Sequence, residues 1–221
     1  MRFGFTDLSR DEGDALVFSW KNLVLTLWRE IFTLIRANLC FLLFCIPIVT
    51  IPAAVTALYG VCVDAIQGKR CAVFKTFLKT VRFQFFQSWG AFIPLGLLEF
   101  ISVFGAWFYF TRGNLITGIL GLGMTAVAVV TFLAVPYCFC MLARVDLPLW
   151  QAVKNSFLMV FLNLKFSICS GVLTIALLAV LVLFWLYAIP AILLCALALT
   201  AYVSGYFTLY GLQSFVLTEA L

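Results

Sequence analysis

The chain contains no histidine and carries few charges of either sign. Of its 221 residues, 14 are Lys or Arg and 9 are Asp or Glu, so 10% are charged, compared with roughly 25% in a soluble domain. Without histidine, the sequence lacks the side chain that most often serves as a general base or metal ligand. It also has no CxxC pair among its 8 cysteines and no glycine-rich phosphate loop ending in lysine. We therefore expect no metal, no cofactor and no nucleic-acid partner.

The chain is instead rich in apolar residues. Hydrophobic residues make up 65% of it, and the mean hydropathy is +1.16. This number of charged side chains is too small to cover a water-soluble globule of this size. Lipid must therefore be the solvent for much of the surface. The composition predicts an integral membrane protein of the all-α class, folded as one polytopic helix bundle over residues 1–221. The polar segment 1–14 lacks the apolar core expected of a cleavable signal peptide.

An uncharged run of 27 residues, Ala37–Val63, contains Pro47 and Pro52. The chain either crosses a membrane once in this run or turns back at the prolines. The run is followed by a group of cations without an acid among them, at Lys69, Arg70, Lys75, Lys79 and Arg82. Such a cluster in a short loop is typical of the cytoplasmic side. The pattern therefore predicts a turn, with Pro47 ending one helix and Pro52 in the first turn of a short returning helix.

With this turn, the hydrophobic pattern predicts six spanning helices. They cover approximately residues 31–48, 53–66, 86–110, 115–140, 166–186 and 191–212, with further breaks near Pro136 and Pro190. Both termini then lie in the cytoplasm, together with 13 of the 14 Lys and Arg residues, and Arg112 lies outside.

A short amphipathic segment precedes each pair of predicted spans, at residues 16–28, 72–84 and 148–162. Aromatic side chains flanked by cations favour helices that lie in the lipid headgroup layer. In the third segment, Asp146 is placed to cap the helix, with Pro148 just after it. Three units of a surface helix plus a helical hairpin describe the chain most simply. Duplication and a shared solution to membrane insertion both remain open as the origin of the pattern.

Three motifs carry a resemblance to a known family. They are LCFLLFCIPIVTIPAAVTALYGVCVD, FKTFLKTVRFQFFQSW and MLARVDLPLWQAVKNSFLMVFLN. Together they resemble the YesL-like family, domain of unknown function 624, whose members are bacterial membrane proteins that commonly accompany sugar-uptake ABC systems. The tripeptide Cys45-Ile46-Pro47 departs mildly from the family pattern, in which Leu more often precedes the proline. The resemblance implies an accessory role near carbohydrate import and supplies no catalytic residues.

Glu99 falls near the middle of a predicted span, where an ionisable side chain is costly and by default a functional hypothesis. It is a candidate intramembrane polar site together with Arg36 and Asn38, although Arg36 is expected nearer the cytoplasmic end. The alternative is that Glu99 hydrogen-bonds a neighbouring helix and serves only the packing of the bundle.

Two further groups are candidates. Lys75, Lys79 and Arg82 form a cationic face that either docks a partner or attracts anionic lipid. Thr50, between Pro47 and Pro52 in the predicted turn, either contacts a ligand or caps the following helix.

These features predict a non-catalytic accessory subunit that supports or regulates a carbohydrate ABC importer, with membrane lipids and other transport subunits as partners. The alternative is a stand-alone transporter or channel for a small solute, which usually places polar groups at broken helices in mid-membrane. A membrane enzyme is the least favoured, because its acid or base would have to be Glu99, Asp64 or Asp146.

Overall fold

The computed structural model describes residues 20–69, 72–144, 148–183 and 196–219, and over these residues the chain is built from helices without any strand. The helices are α1 (Trp20–Arg29), α2 (Ile31–Cys45), a 3-10 turn (Ile48–Thr50), α3 (Ile51–Ile66), α4 (Val73–Phe83), α5 (Phe85–Phe110), α6 (Leu115–Arg144), α7 (Leu149–Leu162), α8 (Leu164–Leu183) and α9 (Leu197–Glu219). The predicted all-α helix bundle is confirmed. Residues 1–19, Asp146 and the segment with Pro190 lie outside the described residues.

The helices follow one another as three similar units, each a short helix and then two longer ones. Within each unit, the short helix is separated from the next by one polar residue: Glu30, Gln84 or Asn163. The backbone carbonyl of each break residue accepts a hydrogen bond from the amide four residues later, at 3.0, 2.8 and 2.9 Å. The helical ladder therefore restarts at once, while the axis changes direction, by 99° between α7 and α8.

The three units also share a register of charge and burial. A lysine stands nine residues before each break, and the three are Lys21, Lys75 and Lys154, all exposed. The positions seven before and four after each break are buried; these are Leu23, Phe77 and Ser156, then Leu34, Ser88 and Ser167. In the described residues, the predicted order of a short helix before each pair of longer helices is present; the location of the short helices at a membrane surface remains a prediction.

Helix α3 is the centre of the bundle. Of its 16 residues, 13 are buried, and it contacts α2, α4, α5, α6 and α9. Ala53, Ala54, Ala57 and Gly60 let neighbouring backbones approach closely, because small side chains leave little between two helix axes. A Cβ on Gly60 would lie 3.4 Å from the Cβ of Ala143 on α6. The uncharged run of the sequence is therefore mostly protein core.

Several helices are suited to a membrane. By length and composition, the segment Ile48–Ile66, α5 and α6 could each cross one, and the bent pair of α7 and α8 would make a fourth span. Helix α2 has 15 residues, about 23 Å, which is shorter than a hydrocarbon core of ~30 Å. The described residues thus support a membrane protein, whereas the count of six crossings remains a prediction.

Two sequence predictions about prolines have different outcomes. Helix α2 ends at Cys45 and Pro52 lies in the first turn of α3, as predicted. The predicted break near Pro136 is wrong, because α6 continues through Pro136 to Arg144. A proline inside an apolar helix is tolerated where neighbouring helices pack around it, since lipid offers the backbone no alternative to helical hydrogen bonding.

Candidate functional sites

A buried ion pair joins the ends of two core helices. Nη2 of Arg144, the last residue of α6, contacts Oδ1 of Asp64 in the last turn of α3 and donates a hydrogen bond to the carbonyl of Gly60. The side chain of Asp64 is 7% exposed and that of Arg144 is 25% exposed. The guanidinium of Arg144 can reach the carbonyl of Gly60 because α3 and α6 pack together through small residues. This guanidinium therefore bridges a carboxylate and a backbone carbonyl and holds α3 against α6.

Sequence reasoning did not find this pair. It treated Asp64 as a possible general acid or base and Arg144 as one more cytoplasmic cation. The available signal was that Asp64 is a lone acid at the end of an otherwise uncharged helix. Cysteine offers no site of its own: the six cysteines that the structure describes are free thiols, and the described residues hold no metal-binding group of His, Cys, Asp and Glu.

Glu99 lines a cavity between α5, α6 and α8. Its Oε2 is buried and has no hydrogen-bond partner among the described residues. The cavity has a volume of about 250 Å³. Its other lining residues are apolar: Ala128, Val129, Phe132, Leu133, Ile168, Gly171, Val172 and Ile175. An unpartnered carboxyl oxygen in such surroundings is costly to leave unbonded, so this position suits an occupant that carries a hydrogen-bond donor.

A second, smaller cavity of about 80 Å³ adjoins the first between α6 and α8. Both cavities are lined by Phe132, Leu133 and Gly171. A Cβ on Gly171 would lie 2.4 Å from Cδ2 of Leu133. The lack of a side chain at position 171 therefore leaves room for Leu133 between the two cavities. The smaller cavity also has hydroxyl groups, from Tyr59, Tyr137, Ser167, Ser170 and Thr174.

Some of those hydroxyls already have hydrogen-bond partners in the protein. The hydroxyl groups of Tyr137 and Ser167 are 2.8 Å apart, and those of Tyr59 and Ser204 are 3.1 Å apart. Oγ1 of Thr174 is buried without a hydrogen-bond partner within the described part of the chain. Polar atoms therefore lie at both ends of the two adjoining cavities, the carboxyl group at one and the hydroxyl groups at the other.

The other two members of the predicted polar site lie elsewhere. Asn38 is fully buried in α2, and its Oδ1 accepts a hydrogen bond of 3.1 Å from the backbone amide of Ala198. Since Ala198 lies in the first turn of α9, this hydrogen bond joins the middle of α2 to the beginning of α9. Arg36 is exposed on α2, and among the described residues no ion pair joins it to Glu99. The structure does not bring Glu99, Arg36 and Asn38 into one site.

The cationic face of α4 is exposed and belongs to a helix with three distinct sides. One side is buried, one is apolar and exposed, and one is cationic; these are Val73, Phe77 and Val81, then Phe74 and Leu78, then Lys75, Lys79 and Arg82. Ring contacts with Phe44 at 6.4 and 5.3 Å hold Phe74 and Phe77 against α2. A helix with one side on protein, one on lipid and one on headgroups is typical of the membrane interface.

The predicted turn is present, but Thr50 acts differently from the prediction. Thr50 precedes α3, yet its hydroxyl makes no cap to that helix. It donates instead to the carbonyls of Phe44 and, at 2.7 Å, Pro47. The capping prediction is therefore wrong, because α2 ends with carbonyls that lack helical partners and lie closer to the hydroxyl. The indole N–H of Trp89 on α5 donates to the carbonyl of Val49 at 2.8 Å.

Comparison with known proteins gives one match, to a protein family. Residues 34–106 match the model of a family described as "Protein of unknown function, DUF624". The match confirms the predicted family resemblance over a region that runs from α2 into α5 and includes Glu99. No curated protein and no solved structure matches the chain. The description of the family assigns no activity.

Proposed function

We propose that the protein is a non-catalytic accessory subunit that supports or regulates a carbohydrate ABC importer. It works in the bacterial cell membrane as a multi-pass protein with both termini in the cytoplasm. The link to carbohydrate import comes from the family resemblance alone. The observation that supports an accessory role is a continuous exposed surface formed by α4 and α5, which we call the α4–α5 surface.

The α4–α5 surface turns from the membrane interface into the bilayer at Gln84. Phe83 and Phe86 on either side of that bend are 76% and 87% exposed. Helix α5 buries four of its 26 residues. Its exposed side carries an aromatic row, in which the rings of Phe100 and Phe104 stack at 6.1 Å and Trp107 follows at 5.8 Å. Aromatic side chains in such a row bury a large area at a small entropy cost when another helix packs on them.

Lipid is the other possible neighbour of this surface. Cations near an anionic leaflet are attracted by about 1 kcal/mol each, and an apolar helix face is equally at home against acyl chains. Among membrane helices, association depends on close packing rather than on a hydrophobic drive. A partner subunit must therefore respond to loss of individual aromatic side chains, whereas a lipid contact is indifferent to them.

Co-purification distinguishes the two. The protein is extracted from its own membrane in a mild detergent, and the attached proteins are identified. We expect a permease pair of a sugar importer to be recovered with the native chain and to be lost with the double variant Phe104→Ala, Trp107→Ala. The matched control is Ile119→Ala on α6, which removes a side chain that is 62% exposed on a different face. Equal recovery with all three chains, or no permease with the native chain, contradicts the proposal.

A specific observation favours the alternative, a stand-alone transporter or channel. The two adjoining cavities are lined by half-buried Glu99 and by several hydroxyls, and solute pathways usually carry polar groups of this kind. A flux assay with purified protein in liposomes tests it. Solute uptake by the native chain that is lost in Glu99→Gln, which keeps the shape and removes the charge, decides for a transporter. Uptake that is absent, or unchanged in Glu99→Gln, removes Glu99 from this role.

A further inference from the structure

The tip of the α2–α3 hairpin has the surface of a segment that contacts lipid. Four consecutive residues at the tip are exposed and apolar: Ile46, Pro47, Ile48 and Val49. Ile46 and Ile48 are each 76% exposed. A loop that projects into water would be expected to carry polar or charged residues, and turns normally do. In this chain no charged residue lies between Arg36 and Asp64.

Backbone carbonyls of the tip also have hydrogen-bond partners within the protein, as a medium without water requires. The carbonyl of Pro47 accepts hydrogen bonds from the amide and the hydroxyl of Thr50, at 3.0 and 2.7 Å. The carbonyl of Phe44 accepts a hydrogen bond from the same hydroxyl, and the carbonyl of Val49 accepts one from the indole N–H of Trp89. Non-helical backbone at membrane depth is tolerated where its polar groups find such partners within the protein.

Both ends of α3 lie against the same end of the α5–α6 pair. These two helices are antiparallel: a Cβ on Gly105 would lie 3.1 Å from Cε of Met124, and a Cβ on Gly121 would lie 3.2 Å from the ring of Phe110, so later residues of α5 lie beside earlier residues of α6. The start of α5 and the end of α6 are therefore neighbours. Trp89, the fifth residue of α5, bonds to the tip before α3, while Arg144 at the end of α6 bonds to Asp64 near the end of α3.

This arrangement limits how deep the tip can reach. From Trp89, α5 continues for 21 residues to Phe110, a length of about 31 Å. The tip lies within the reach of one indole side chain from the start of that length. If α5 crosses the hydrocarbon core of ~30 Å, the tip ends well short of the far surface.

We propose that α2 and α3 form a hairpin that does not cross the bilayer, and that its apolar tip, residues 46–49, contacts lipid acyl chains near the membrane face where α5 begins. Both ends of the hairpin lie at the membrane face where α5 begins. The hairpin replaces two of the six predicted crossings. Because it enters and leaves on the same side, the position of the basic cluster at residues 69–82 is the same as in the six-span prediction. Length and composition alone admit Ile48–Ile66 as a span; the contacts at its two ends argue against a full crossing.

Labelling of single introduced thiols tests the depth. Ile48→Cys at the tip and Asn114→Cys in the α5–α6 turn are made separately in the full chain, and both positions are exposed. Sealed vesicles of both orientations are treated with a membrane-impermeant maleimide. Peptide mass mapping reads each position, so the native cysteines stay in place. We expect position 114 to react from one side, and position 48 to react at least about tenfold more slowly from either side, because a thiol in apolar surroundings forms little thiolate.

Unfolding in SDS must make both positions react, which shows that each thiol is present. Reaction of position 48 from the same side and at the same rate as position 114 overturns the proposal. If Ile48→Cys does not fold, Val49→Cys is labelled in the same way, since Val49 is also exposed at the tip. The same slow reaction is expected of it, and reaction from the side and at the rate of position 114 overturns the proposal.

Discussion

Removal of one partner of the Asp64–Arg144 pair is expected to destabilise the protein strongly. Asp64→Asn leaves an arginine without its counterion, and the usual cost for a buried pair is about 3–5 kcal/mol. Because the side chain of Arg144 is 25% exposed, water shields part of its charge, and we expect about 3 kcal/mol, the low end. Arg144→Gln leaves the more deeply buried Asp64 unpaired and also removes the donor to Gly60, so we expect about 4 kcal/mol.

The assay is equilibrium unfolding of purified protein by SDS in mixed micelles, followed by circular dichroism. The double variant Asp64→Asn, Arg144→Gln is expected to lose less than the sum of the two single variants, since neither charge is then left alone. Arg29→Gln is the matched control. Its ion pair with Glu30 spans 3.4 Å and has an arginine side chain that is 67% exposed, and such surface pairs contribute about 0–1 kcal/mol.

Two outcomes would refute this reasoning. The first is that each single variant costs no more than the Arg29→Gln control. The second is that the two single costs simply add in the double variant, which would mean that the two side chains act independently. Either result would show that the contact between α3 and α6 depends on packing around Gly60 and Ala143 and not on the ion pair.

Three further contacts are tested by substitution in the same unfolding assay. Gly171→Ala is expected to cost about 1 kcal/mol, the low end for overpacking, because the end of Leu133 can move into an adjoining cavity, and Leu133→Ala in the same chain is expected to relieve part of that cost. Asn38→Leu is expected to cost about 1–3 kcal/mol because the buried amide of Ala198 loses its acceptor; no loss would mean that this amide has another partner. Trp89→Phe keeps the aromatic ring and removes the N–H that bonds the hairpin tip, so a loss of about 1 kcal/mol is expected, and a neutral result would remove this bond from the account of the tip.

The helices themselves were largely predictable from sequence. Helix α5 was expected at Phe86–Phe110 and is observed at Phe85–Phe110, because a long apolar run between polar breaks has few alternatives in lipid. The end of α6 was predicted at Cys140 and lies at Arg144. The apolar run itself continues through Ala143, so the prediction ended one turn too early. The contact of the final Arg144 with Asp64 is one that hydropathy does not report.

The candidate sites were less predictable. Glu99 was recognisable because it is a lone acid in an apolar helix, but the walls of its cavity come from α6 and α8, which lie far along the chain. Asn38 was grouped with Glu99 by polarity alone. Its contact with the start of α9 depends on how the first and last units pack, and single-sequence patterns contain no such information.

The distance along the chain between Asp64 and Arg144 has a consequence for biosynthesis. A ribosome must add 80 residues after the aspartate before it reaches the arginine, which takes about 4–16 s at ~5–20 residues per second. During that interval the carboxylate lacks its arginine. In the proposed hairpin the end of α3 lies at the membrane face, where water and the neighbouring Lys69 can solvate the charge, so the α3–α6 contact is completed only after α6 has been synthesised.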